Sequence, residues 1–565
     1  MNTLRQFFPF KSSNILLLIL WLVVGTGLRF ANLTAKSPWT DEFSTLVFSL
    51  GNSFIPVPLD EAISIDTLLQ PLQPHIGASI ADVLHHLFQE SNHPPLYFIL
   101  THLWLRLFPT EYGLVSLWGG RSLAVIFGGL SIIAIYGLSY LAFRSPRISH
   151  LSAALMAISP YGIFLAQEAR HYTLAILWVI ASCGCLMVTI RHIYNRSQLS
   201  WWLVFTWILV NALGIATHYF FALTLLTEVV VLIIFAWQQI SPNNITLPWW
   251  RIFVVAMGTG VAGMVWIPVF LQNTYGDKLT DWIQGDRVGL ALLSPIFQAL
   301  AAWITMIILL PVESPNLVIV IISGLIMGIF LIWAIPIFWR GIQEQFRQPE
   351  NRVMMEMLVQ LIGSAIAIFF IFTYFLGIDL TRGARYNFIY YPAVLLILAA
   401  SLAVAWQKNQ PVQWGVPGKV AVCIILFMGF LSAVTVTSNL GYQKYYRPDL
   451  FVQLITEKSS VSRIIATTQI THVQIGEMMG VARELKITDG DIVANTQFFL
   501  QNLDKNLDTN NKLDNVIRQI SQPLDVWLVN LQTSEPEAVQ KCILDTQDLP
   551  NINGYVYKLY HCGSN

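Results

Sequence analysis

Along its first 440 positions the chain alternates long apolar blocks with short polar turns. About thirteen blocks stand out, at 14–31, 94–108, 118–142, 149–166, 171–190, 201–217, 219–238, 251–270, 289–311, 317–339, 355–377, 386–406 and 418–438. Most are long enough to cross a hydrocarbon core as helices. Two differ. Block 94–108 is short, opens on Pro94-Pro95 and carries Thr101, His102 and Arg106, while block 289–311 is interrupted by Pro295 and contains Gln298. Both read as interfacial or re-entrant segments.

Between the first block and block 118–142, loop 33–117 has an amphipathic order of its own. "EFSTLVFSL" places Phe43, Leu46, Val47 and Leu50 on one helical face, with Ser44, Thr45 and Ser49 on the other. "SIADVLHHLFQE" does the same with Ile80, Val83, Leu84, Leu87 and Phe88. The pattern predicts two short helices lying flat at the interface, joined by a loop from Ile55 to Pro74. Beyond 440 the periodicity is mixed. Helix-like "PDLFVQLITEK" and "VQIGEMMGVARELK" flank strand-like "RIIATT"; strand-like "DVWLVNL", helix-like "EPEAVQKCIL" and strand-like "GYVYKLY" follow. That alternation predicts a small α/β domain at 441–565. The expected fold class is an all-α polytopic membrane bundle over 1–440, of about 11–13 membrane helices, with interfacial helices in its first outer loop and a small C-terminal α/β extracytoplasmic domain.

Composition supports the bilayer. Of 565 residues, 55% are hydrophobic and 11% charged, against roughly 25% charged in soluble domains; mean hydropathy is +0.58. A formal net charge of +0 excludes bulk attraction to nucleic acid. The first block follows Arg5 and Lys11 and lacks a small-residue cleavage site, so it reads as a retained anchor. Cys183, Cys185 and Cys423 lie in apolar runs as small core residues. Cys542 and Cys562 share the polar tail, as a disulfide or as two thiols.

Charge also orients the bundle. With 94–108 and 289–311 set aside, the other eleven blocks place "RSPR" (144–147), "RHIYNR" (191–196), the Arg340–Arg352 loop and the Lys408–Lys419 loop all inside, as the positive-inside rule requires. The N-terminus is then cytoplasmic. Loop 33–117, "LAQEARHY", "THYF", loop 271–290, "DLTRGARY" and the tail are outside.

The polar residues with chemical potential gather on that outer side. Asp41 and Glu42 open an amphipathic helix, where Thr40 or Asp41 suits the cap and Glu42 the first turn; the same geometry aims Asp41 above the bundle. His93 precedes the paired prolines. Gln167, Glu168, Arg170, His171 and Tyr172 interrupt two apolar blocks, either as a hydrophilic turn with a Glu168–Arg170 pair or as a cavity-facing group. His218 and Tyr219 sit at a helix end, where a histidine packs or ligates. Arg382, Arg385 and Tyr386 reach the outer mouth, as interfacial anchors or as partners for a lipid phosphate.

In this order, "TDE", "HPPLYFILTHLWLRLF", "GRSLAVIFGGLSIIAIYGL", "SPYGIFLAQEARHYTLAIL", "THYF" and a late "RY" resemble the GT-C polytopic glycosyltransferases. The likeness is to the glycosyltransferase 39 group, which includes protein O-mannosyltransferases and lipid A aminoarabinose transferases, and it covers residues 14–440. The resemblance implies a GT-C type fold and transfer of one sugar from a polyprenyl-phosphate carrier on the non-cytoplasmic face. It implies Asp41 as catalytic base, Glu168 as a second acid facing the cavity and Arg385 on the carrier phosphate. Glu42 is the third catalytic candidate; His93, Arg170, His171, Tyr172, Tyr219, Arg382 and Tyr386 are the further substrate-binding candidates. Some relatives place a metal-binding acid just before the prolines. Here Asn92 and His93 stand instead, which leaves a divalent metal ion open, with His218 as its candidate ligand. The implied partners are the lipid-linked donor, a protein, lipid or glycan acceptor and the lipid bilayer; the short outer loops, without eukaryotic-type insertions, point to a bacterial plasma membrane. Two other classes explain the spans as well: a flippase or transporter of lipid-linked saccharides, and a membrane assembly protein with a partner-binding outer domain.

Overall fold

A computed structural model describes residues 12–239, 249–272, 279, 281–284, 289–408, 410–488, 494–503, 509–547 and 549–563. Arg5 and Lys11, and most of loop 271–290, lie outside the described residues. All thirteen apolar blocks form helix. Among the described residues nine helices are long and apolar enough to cross a membrane, or ten if the bent pair Pro146–Ile158 and Pro160–Ala166 is one span. Leu96–Leu105, Trp201–Thr217 and Tyr391–Gln407 are shorter apolar helices. Block 289–311 meets the length criterion only because the 3-10 turn Gly289–Leu293 precedes the α-helix Ser294–Ile307. The protein is a multi-pass membrane protein, mostly helical, with a C-terminal mixed sheet.

The bent pair shows how the bundle tolerates a break. Pro160 has no N–H to give the Met156 carbonyl and its ring displaces it; the two helices meet at 55°. Buried Arg29 repairs the loss, its guanidinium donating to the carbonyls of Met156 at 2.8 Å, Ala157 at 3.1 Å and Gly25 at 2.8 Å. Apolar surroundings make such repair obligatory.

The tail sheet has six strands in the order Ala62–Ser64, Thr496–Asn502, Ser462–Gln469, Leu524–Val529, Tyr557–Cys562, Ile543–Leu544. The central strand Ser462–Gln469 runs parallel to both neighbours. Its edge strand Ala62–Ser64 comes from the first loop, antiparallel to Thr496–Asn502 with Ile63 opposite Phe498. The expected plain connection from Ile55 to Pro74 is therefore part of the sheet; three residues become a strand only because a distant strand supplies the ladder.

The helix Thr40–Ser49 also departs from expectation. Every residue of it except Asp41 is buried, so it does not lie flat on an interface. The tail helix His472–Thr488 packs against it so closely that a Cβ on Gly476 would stand 2.8 Å from Thr40 Cγ2. Phe43, Phe48, Ile475 and Met478 belong to one core that joins first loop and tail. The helix Ile80–Glu90 forms as predicted, under a Ser79–Asp82 capping box. "EPEAVQKCIL" gives a 3-10 turn Glu537–Lys541 and a two-residue strand. Its Cys542 is held in a disulfide to Cys562 on the adjoining strand. Cys183 and Cys185 are buried as expected, whereas Cys423 is exposed on its helix.

Candidate active site

Where the first loop, the "QEARHY" turn, the "RGARY" turn and the tail helix meet, they enclose a cavity of about 280 Å³. Asp41 enters it from the first turn of helix Thr40–Ser49. That helix begins after Trp39, whose extended backbone takes the cap position without a side-chain hydrogen bond. Neither Thr40 nor Asp41 is the cap; Asp41 is a first-turn acid, favoured by the positive helix end. It is the one carboxylate among the described residues lining the cavity, and its side chain is 31% exposed.

Two guanidiniums face it. Arg170 Nη2 lies 3.4 Å and Arg385 Nη2 3.7 Å from Asp41 Oδ2, longer than the ~2.7–2.9 Å of a tight charge-assisted bond, so both keep donor capacity for a ligand. Arg170 is anchored through Nη1 to the Asp41 carbonyl at 3.0 Å and Thr45 Oγ1 at 3.1 Å. Its Nη2 meets His93 Nε2 at 3.0 Å. A guanidinium only donates, so Nε2 accepts and the His93 proton sits on Nδ1, donated to Ser91 Oγ at 2.9 Å. Arg385 lies over the rings of Trp39 at 4.6 Å and Trp282 at 5.0 Å, which hold the cation in place. Burial, reinforced by neighbouring positive charge, holds His93, His171 and His218 well below the ordinary imidazole range. Among the described residues the lining thus carries two guanidiniums, one carboxylate and imidazoles whose cationic form burial disfavours.

Asp41, His93, Arg170, Tyr172, His218, Tyr219, Arg385 and Tyr386 all line it. Four other candidates do not. Glu42 is wholly buried, its oxygens accepting from Arg121 Nε and Nη2, each at 2.8 Å, and from the Ala169 N–H at 2.8 Å. It ties Asp41's helix to the membrane helix Leu117–Phe143. Glu168 is buried in an ion pair with Lys444 of the tail and does not face the cavity. His171 lies behind the lining, its ring 4.4 Å from that of His218. Arg382 turns to Asp379 at 3.3 Å. His218 Nδ1 accepts the Phe220 N–H at 3.1 Å, and no group of three or more His, Cys, Asp or Glu among the described residues could hold a metal ion. The metal-ligand expectation for His218 finds no partner set here.

Sequence reasoning missed Trp39, Arg121, Lys444 and His472. Arg121 had a signal, an arginine opening an apolar block. His472 had none. It opens the tail helix, lines the cavity with Val473, stacks on Phe54 with ring centroids 5.0 Å apart, and is pushed by burial down to about 4 from 6.5. The unfolded chain binds this proton near pH 6.5 and the folded chain only near 4, so the folded state gains stability above pH 6.5 and loses it as pH falls through 4. The full span is worth on the order of 3 kcal/mol. Thermal unfolding at pH 7 and pH 4.5 is expected to show a larger acid loss for the native chain than for His472→Gln. Equal losses would refute this burial-linked titration.

No family model and no curated protein matches the chain. Among solved structures, it is similar to ArnT from Cupriavidus metallidurans, at 11% identity over 96% of this chain and 97% of that one. The TM-score is 0.49 for the apo state and 0.47 for the form bound to undecaprenyl phosphate. It is also similar to the oligosaccharyltransferase AglB from Archaeoglobus fulgidus in complex with an inhibitory peptide and a dolichol-phosphate, at 11% identity, 96% and 74% coverage and a TM-score of 0.39.

Proposed function

We propose that the protein is a membrane glycosyltransferase of GT-C type that moves one sugar from a polyprenyl-phosphate carrier to an acceptor hydroxyl on the non-cytoplasmic face. One observation carries the reading: Asp41, the one carboxylate lining the cavity among the described residues, shares it with two incompletely engaged guanidiniums. Phosphate is already a good leaving group, so the reaction needs a base and charge stabilisation, not the two carboxyl groups of a typical glycoside hydrolase. Asp41 takes the acceptor O–H proton as that oxygen attacks the anomeric carbon. The bond from that carbon to the phosphate oxygen breaks, its electron pair leaves with the carrier phosphate, and the sugar carbon inverts. Arg385 and Arg170 receive the growing phosphate charge. Their sharing with phosphate loosens their hold on Asp41 as the donor enters. The cavity's 280 Å³ lies just below the ~300–1,000 Å³ common for ligand sites, which favours a single sugar.

Topology supports the face. The basic stretches at 144–147, 191–196, 340–352 and 408–419 lie at the helix ends opposite Asp41, so the positive-inside rule puts the cavity outside. With its short connecting loops, the chain suits a bacterial plasma membrane.

The test is turnover of a polyprenyl-phosphate sugar by the purified chain in lipid nanodiscs. Carrier phosphate should be released only when an acceptor is present, and Arg385→Met should raise the donor KM roughly tenfold, the cost of one charged hydrogen bond. Passage of intact donor across the membrane without cleavage would replace this reading with the flippase.

A further inference from the structure

The tail contains a second cavity, larger and different in chemistry, of about 700 Å³. Its place follows from the sheet. The chain runs from the central strand Ser462–Gln469 to Thr496–Asn502 on one side, then crosses to Leu524–Val529 on the other. Such a reversal opens a crevice beyond the carboxyl ends of parallel strands, where open α/β sheets take their ligands. Thr468 and Asn530 lie at those strand ends. Gln474 and Glu477 come from the helix that follows the central strand, and Tyr446 and Tyr555 close the crevice from the linker and the last turn.

The lining mixes polar and apolar surface about evenly, with little free charge among the described residues. Lys558 and Glu535 on its rim pair with each other at 2.5 Å. Glu477 is buried and hydrogen-bonded to Tyr446, and burial pushes its carboxyl up to about 7. Tyr555 is buried, its hydroxyl without a hydrogen-bond partner among the described residues. Tyrosine rings offer apolar faces with polar tips, and amides and hydroxyls both donate and accept. That combination matches a sugar ring, which has apolar C–H faces and a hydroxyl rim. Among the described residues the one lining lysine is already paired, which leaves no spare cation there for a phosphate or carboxylate.

Its position ties it to the catalytic cavity. His472 and Val473 line the Asp41 cavity, while Gln474 and Glu477 line the crevice. One turn of a single helix separates the two.

We propose that the tail crevice is a saccharide-binding subsite that holds the non-reacting part of a neutral glycan acceptor while its terminal hydroxyl reaches Asp41. The proposal rests on the glycosyltransferase reading above. It gives the tail a substrate-selecting role and commits the acceptor to an uncharged glycan.

The test is saturation-transfer NMR on the full chain in nanodiscs free of glycoside detergent. Maltotriose and mannotriose serve as neutral probes, and a uronic-acid trisaccharide as the charged control. The native chain and Asp41→Asn should both saturate a neutral probe and leave the uronate weak. Tyr445→Ala/Asn553→Ala alters two exposed crevice residues and should bind roughly tenfold more weakly, the scale of a lost aromatic contact. Equal binding by the double variant, preference for the uronate, or no binding of either neutral probe overturns the subsite. These outcomes are independent of catalysis. A native chain that transfers sugar but binds no neutral probe removes the subsite alone, and a chain that binds the probe without transferring sugar removes the enzymatic reading and with it the acceptor role.

Discussion

Replacing Asp41 by asparagine is expected to lower the rate of sugar transfer by about 10²–10⁴-fold, the usual worth of a positioned general base, while the donor still binds. Asparagine has nearly the same shape and suits the first turn of a helix, so the cavity keeps its form. It cannot take the acceptor proton. Arg170 and Arg385, 3.4 and 3.7 Å from the carboxylate, then face the donor phosphate without a competing anion, so donor KM should stay level or fall as kcat collapses. That split separates a base from a residue that merely holds substrate. Single-turnover transfer by native and variant chains, matched for thermal unfolding, decides it. Native kcat in the variant would remove Asp41 from the base role.

The second large effect lies behind the cavity. Arg121→Met should cost about 3–5 kcal/mol of stability, because removing one partner of a buried ion pair strands the other charge. Here the stranded group is Glu42, with no exposure to water. Arg121 Nη1 also donates to the carbonyls of Leu33 and Lys36, each at 2.8 Å, so the loss reaches the segment leading into Asp41. The double variant Glu42→Leu/Arg121→Met should recover much of the stability, since an apolar pair of similar volume replaces a buried ion pair at little cost. It should recover less of the activity, because the clamp that sets Asp41's helix against helix Leu117–Phe143 is gone. Thermal unfolding of the three chains, read with transfer rates, measures both. A single variant as stable as the native chain would refute the clamp.

The membrane bundle was legible because its signal is local. Each apolar block carries its own helix period, and each of the thirteen became helix. The amphipathic period of helix Ile80–Glu90 was equally self-contained. Errors came where a segment's state depends on a partner elsewhere. Residues 62–64 look like loop until strand Thr496–Asn502 supplies a ladder, and "EFSTLVFSL" looks interfacial until helix His472–Thr488 packs against Thr40, Phe43 and Phe48. The site divides the same way. Asp41, Arg170 and Arg385 were legible as polar residues at helix ends on one side of the membrane. Glu42 and Glu168 were catalytic candidates beside Asp41, and their burial against Arg121 and Lys444 separates them from it.

By itself, then, the sequence determined that this is a multi-pass helical membrane protein with a mixed α/β tail, and which polar clusters share one end of the bundle. Hydrophobic period and block length act over a few turns and need no distant partner. Only the tertiary structure decided which acid is available, that His472 of the tail completes the cavity, and that a second crevice lies one helical turn away. Those outcomes depend on ion pairs and packing between segments hundreds of residues apart, and a carboxylate's neighbours, not its local pattern, decide whether it meets a buried guanidinium or an open cavity.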